Sequence, residues 1–159
     1  MAKRAFVGLG ANLGQARETL EHALEALRHT QGIDSLAEAR MYGSDPVDAQ
    51  GPTFINTVAQ LTTTLEPLAL LDALQAIEQA HGRERPFRNA PRTLDLDLLW
   101  YEGVIMDTPR LTLPHPRMHE RAFVLKPLSE LTTDLTLEQG TIPALLEQCR
   151  DQKVWPLSI

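Results

Sequence analysis

Residues Thr93 to Tyr101, TLDLDLLWY, constrain the fold more than any other stretch of the chain. An apolar run broken only by acids at alternate positions suits a β-strand, whose side chains point to opposite faces in turn. Asp95 and Asp97 then project from one face, and Leu94, Leu96 and Leu98 from the other. The leucine face needs helices to cover it. Two carboxylates about 7 Å apart along a strand repel each other unless something compensates. A hard divalent cation does so, and Mg²⁺ binds through one or two carboxylates plus substrate phosphates. An isolated Asp-x-Asp also fits a merely wet outer face, so the flanking residues decide.

The flanks are basic in an acidic protein of net charge −6. Arg83, Arg85, Arg88 and Arg92 surround Glu84, and Arg110, Arg117 and Arg121 surround Glu120 with His115 and His119 beside them. Every base in both islands is arginine, whose planar fork matches phosphate or carboxylate oxygens two at a time. A metal-binding pair bracketed by arginines is the equipment of phosphoryl transfer, where positioning and charge neutralisation dominate. The acidic balance argues against general nucleic-acid or anionic-membrane binding. No stretch approaches the roughly 18 apolar residues of a membrane span, and the opening residues lack a signal peptide's apolar run. One cysteine, Cys149, excludes an intramolecular disulfide and a cysteine-built metal site. Its apolar neighbours Leu145 and Leu146 make it a packing residue, and a reducing cytoplasm is the expected address.

With 159 residues the chain is expected to form one domain, 1–159. Arg4 to Leu9 reads as a strand that breaks at Gly10. Leu20, Ala23, Leu24 and Leu27 space a helix that ends by Gly32. Ile33 to Tyr42 reads as a strand, Gly43 to Pro52 as a loop, and Phe54 to Thr64 as a strand rich in β-branched residues. Pro67 opens a second helix carrying Leu70, Leu71, Leu74 and Ile77 and stopped by Gly82. Arg83 to Pro91 reads as a loop that substrates order. Helical stretches follow around Ala122 to Leu131 and Ile142 to Gln152. The order βαββαβ predicts an α+β, ferredoxin-like sandwich: an antiparallel sheet with helices on one face and extra C-terminal elements. On the strand from Phe54, the residues Phe54, Asn56 and Val58 share the ligand side while Ile55, Ala59 and Leu61 suit the core. A flat ring beside an amide can read a planar heterocycle by stacking and edge hydrogen bonds.

The run RNAPRTLDLDLL, residues 88–99, resembles the signature of the 6-hydroxymethyl-7,8-dihydropterin pyrophosphokinase family. The likeness extends through Gly10-Ala11-Asn12-Leu13, Phe54-Ile55-Asn56, Ile77-Glu78 with Gly82-Arg83, Leu113-Pro114-His115-Pro116-Arg117-Met118 and Glu120-Arg121-Ala122-Phe123-Val124. The resemblance implies ATP-dependent transfer of diphosphate to the pterin hydroxymethyl oxygen, releasing AMP, within folate biosynthesis. It implies two Mg²⁺ ions on Asp95 and Asp97, and ATP held by Gln75, Glu78, Arg85, Arg88, Arg92, Leu98, Arg110, Thr112, His115 and Arg121. Arg83 and Arg92 match arginines linked to transition-state charge, and His115 reads as a donor to phosphate. The pterin falls between the rings of Phe54 and Phe123, with Asn56 and groups near Ser44, Asp45 and Val47 at its edge. The chain departs from some members by Phe54 for Tyr, Asn89 for Trp, and Ser44-Asp45 for Thr-Pro. A free-standing monomer is expected, with small-molecule substrates and neither nucleic acid nor membrane as partner. Two rivals share parts of the pattern: an Mg²⁺-dependent nucleotidyltransferase, which releases pyrophosphate, and a non-catalytic ferredoxin-like module that binds nucleotide.

Overall fold

A computed structural model describes residues 2–11, 16–44, 54–81 and 94–157. The elements run β1 (Lys3–Ala11), α1 (Ala16–Arg28), β2 (Ile33–Glu38), β3 (Tyr42–Ser44), β4 (Phe54–Thr63), α2 (Pro67–His81) and β5 (Asp95–Tyr101). Then come the short pair β6 (Met106–Asp107) and β7 (Thr112–Leu113), α3 (Ala122–Leu131), the pair β8 (Thr136–Leu137) and β9 (Gly140–Thr141), α4 (Ile142–Gln148) and β10 (Val154–Pro156). The main sheet is antiparallel in the order β10-β3-β4-β1-β5, with β2 also paired to β4. Central β1 and β4, flanked by β5 on one side and by β2 and β3 on the other, give the ferredoxin-like order.

The single strand read over 33–42 is split in two. β2 pairs the far half of β4, Glu38 opposite Ala59, and β3 pairs the near half, Tyr42 opposite Asn56. At the break the Thr57 hydroxyl lies 3.0 Å from the carbonyl oxygens of both Ala39 and Arg40, which the ladder leaves unserved. Gly43 and Ser44, read as loop, continue the sheet because β4 and β10 pair with them from either side.

Helices α1 and α2 cover one face. Leu20, Ala23, Leu24 and Leu27 of α1 and Leu70, Leu74 and Ile77 of α2 pack on Ala5, Val7, Leu9, Ala59, Leu61, Leu96 and Leu98. The C-terminal elements cover part of the other face: Leu125 and Leu128 of α3, with Leu137, Ile142, Leu145 and Cys149, enclose Phe6, Val58 and Leu99. A bulge opposite Phe6/Val7 puts Leu99 and Trp100 together on this second face and returns Tyr101 to the first. The far end of the second face stays uncovered. There β1 presents Gly8 and Gly10, and an open cleft results.

Candidate active site

The cleft measures about 790 Å³ and its floor is the sheet: Gly8 and Gly10 of β1, Phe54 and Asn56 of β4, Ser44 of β3, and Asp95 and Asp97 of β5. Its wall is the start of α3 with Arg121, Phe123 and Val124, completed by residues 151–154. Alternation along β5 works as expected: Leu94, Leu96 and Leu98 enter the helix-covered core while the two aspartates face the cleft. Phe54 and Asn56 likewise face it, with Ile55, Ala59 and Leu61 behind.

Asn56 is only 6% exposed and its amide is oriented from both sides. Nδ2 donates to the Ser44 hydroxyl at 2.8 Å. The carbonyl end lies over Gly10, so close that a Cβ there would fall 2.9 Å from Oδ1. Glycine at position 10 thus makes room for a side chain of the neighbouring strand. Across the cleft the Arg121 guanidinium stacks on the Phe123 ring, 5.5 Å from its centroid.

A second, smaller groove of about 260 Å³ runs along the outer edge of β5, lined by Leu98, Arg110, Thr112 and His115 among others. Asp97 lines both cavities. The segment carrying His115 is fastened to β5, since its backbone N–H donates to the Leu99 carbonyl at 2.7 Å. Nδ1 of His115 accepts from the Arg117 N–H at 3.1 Å, so the neutral ring carries its proton on Nε2 and has a donor to offer there. Burial lowers the His115 pKa below the ordinary histidine value; Asp97 opposes this, and Arg121 and Arg117 reinforce it. Arg110 donates to Asp72 at 2.6 Å and to Gln75 at 3.4 Å, which ties the groove to α2.

The sequence pattern of the 7,8-dihydro-6-hydroxymethylpterin-pyrophosphokinase family, HPPK, matches residues 6–133. The chain is 48% identical over 151 residues to the 2-amino-4-hydroxy-6-hydroxymethyldihydropteridine pyrophosphokinase of Pseudomonas aeruginosa, covering 94% of this chain and 93% of that one. It belongs to the HPPK family. The namesake from Haemophilus influenzae is 41% identical over 156 residues, covering 97% and 98%. Among solved structures, the HPPK-DHPS A437G protein of Plasmodium falciparum with SDX-DHP superposes with a TM-score of 0.73 at 13% identity, a likeness of fold. That match covers 93% of this chain and 45% of the other, so the chain spans less than half of that protein.

Against this HPPK frame the expected residues fall into four sets. Ser44, Phe54, Asn56, Asp95, Asp97, Arg121 and Phe123 meet in the cleft, and Leu98, Arg110, Thr112 and His115 in the groove. Arg121, expected with ATP, thus shares the cleft with Phe123. Gln75 reaches the groove through Arg110, and Glu78 lies beneath β5, 6% exposed, where it accepts from the Leu96 N–H at 2.8 Å. Arg83, Arg85, Arg88, Arg92, Asp45 and Val47 lie outside the described residues.

Sequence reasoning passed over Gly8, Gly10, Gln152 and Val154 as cleft residues. Two glycines at alternate positions of an apolar strand were a usable signal of close approach. Nothing local marks Gln152 or Val154.

Proposed function

We infer that this chain transfers a diphosphate group from ATP to the hydroxymethyl oxygen of 6-hydroxymethyl-7,8-dihydropterin, releasing AMP, as a step of folate biosynthesis. The observation that carries this reading is that Asp97 stands between two cavities of complementary chemistry. The cleft offers two aromatic rings and a fixed amide, and the groove offers a guanidinium, a hydroxyl and an imidazole donor. A heterocycle in the first and a polyphosphate reaching from the second would meet at that carboxylate. Family membership supports the same assignment.

Asp95 and Asp97 suit Mg²⁺. Two carboxylates share one strand face, and among the described residues no group of three or more His, Cys, Asp or Glu completes a protein cage. Such a set leaves positions for phosphate oxygens, the arrangement Mg²⁺ prefers over Zn²⁺. Two ions are proposed here; when bound they supply charge neutralisation and orientation of the phosphates.

In the proposed reaction the hydroxymethyl oxygen attacks the β-phosphorus in line. The new O–P bond forms as the α–β bridging bond breaks, AMP leaves with the bridging oxygen, and the hydroxyl proton is lost to solvent. Phe54 and Phe123 would stack the pterin, while Asn56, Ser44, Asp45 and Val47 read its edge. Gln75, Glu78, Arg85, Arg88, Leu98, Arg110, Thr112, His115 and Arg121 would surround ATP, with Arg83 and Arg92 countering charge on the leaving side. We place the enzyme in the cytoplasm as a monomer of one domain.

The test is incubation with ATP, Mg²⁺ and hydroxymethyl-dihydropterin, followed by chromatography. AMP and a pterin diphosphate in equal amounts are expected. Release of pyrophosphate with a nucleotidyl product would overturn the assignment.

A further inference from the structure

Helix α3 starts without a side-chain cap of its own, since Arg121 holds the cap position in extended conformation and makes no capping bond. Its first amide is served from the far end of the chain. Ala122 N–H donates to Oε1 of Gln152 at 2.9 Å, and Nε2 of the same side chain donates to the Glu120 carbonyl at 2.7 Å. One amide therefore grips the backbone on both sides of Arg121. The two residues flanking Ala122, Arg121 and Phe123, both line the cleft and stack on each other.

From Gln152 the chain runs into β10, where Val154 pairs with Ser44 and Trp155 with Gly43. The Trp155 ring lies over Gly43 so closely that a Cβ there would fall 2.6 Å from it. Ser44 in turn pairs with Phe54 and holds the Asn56 amide. Residues 152–156 thus link the wall that bears Phe123 to the floor that bears Phe54 and Asn56.

We propose that Gln152 is a positioning residue for the heterocycle subsite, its side-chain amide fixing the start of α3 so that Phe123 and Arg121 keep their places at the cleft. The proposal rests on reading the cleft as the pterin site. A free helix start would let the ring and the guanidinium drift, which weakens stacking without touching the groove. Arg110, Thr112 and His115 are held by α2, β6 and β5 and have no bond to Gln152.

Gln152→Met keeps the side-chain length and loses both hydrogen bonds. With each substrate varied in turn, it should raise the pterin KM about tenfold and the ATP KM only about threefold, the smaller effect coming through Arg121 while the groove keeps its hold on ATP. Exchange of the Ala122 amide, followed by NMR, should accelerate in the same variant. A pterin KM within twofold of wild type, or equal rises in both KM values, would overturn the proposal. Gln152→Glu keeps the acceptor for Ala122 and loses the donor, so its pterin KM should fall between the two; it carries the test if Gln152→Met does not fold, and an unchanged pterin KM would count against the role. AMP formation by the wild type in the same assay separates the two claims. Its absence defeats the functional reading, whereas an unmoved ratio of KM values defeats only the role of Gln152.

Discussion

Asp97 and Gly10 show how one side chain, or the lack of one, sets the chemistry. Among the described residues Asp97 is the one that lines both cavities, which puts its carboxylate at their junction. Asp97→Ala should lower kcat by about a thousandfold or more, the scale of losing charge stabilisation at the reacting phosphate, and steady-state AMP formation reads it directly. Retention of over about a tenth of the wild-type rate would remove Asp97 from that role. Gly10 acts by leaving space. A methyl group there meets the tip of Asn56 rather than backbone, so the amide can yield at small cost in stability. Gly10→Ala should therefore lower the unfolding free energy from urea titration little, by about 1 kcal/mol or less. It should raise the pterin KM several-fold while sparing the ATP KM.

The break between β2 and β3 is an element-scale device. Glu130 of α3 accepts hydrogen bonds from the Arg40 backbone N–H, the Arg40 guanidinium and the Tyr42 hydroxyl, tying that helix to the interrupted edge of the sheet. Burial alone would raise the Glu130 pKa. The bonds from Tyr42 and Arg40 outweigh it and hold the carboxyl below its ordinary value. A carboxyl depressed in the folded state binds fewer protons there than in the unfolded chain, so its stabilisation is present above the unfolded value of about 4.3 and is lost as pH falls through the native value. Glu130→Gln should lower the urea midpoint at pH 7, and the gap to wild type should close on titration below about pH 4. A gap of constant size across that range would show that the contact works by packing alone.

Across the whole molecule, one sheet carries two cores with different duties. Leu20 on α1 and Leu125 on α3 are both fully buried, one on each face. Either Leu→Ala change should cost about 2–5 kcal/mol, measured by denaturant unfolding. Leu125→Ala should also raise the pterin KM, because α3 carries Phe123, whereas Leu20→Ala should leave both KM values as they are. Equal kinetic effects from the two would mean that the faces are not functionally separate. The helix stripes and the sidedness of Asp95, Asp97, Phe54 and Asn56 were legible from spacing, because backbone geometry alone decides which residues share a face. The split at Ala39–Met41 was not, since the carbonyls at the break meet a threonine hydroxyl of a neighbouring strand, a contact that spacing does not announce.

The alternation of leucine and aspartate over residues 94–98 by itself determined that this protein would hold two acids on the open side of a helix-covered sheet. Only the tertiary structure decided how far that side stays open, which of the cationic side chains reach it, and that a glutamine 30 residues along the chain would hold the helix bearing its aromatic wall. The physical reason is range. Periodicity is imposed by the bonds between neighbours and can be read in order, while a side-chain amide that meets a distant backbone group leaves no trace until the chain has closed upon itself.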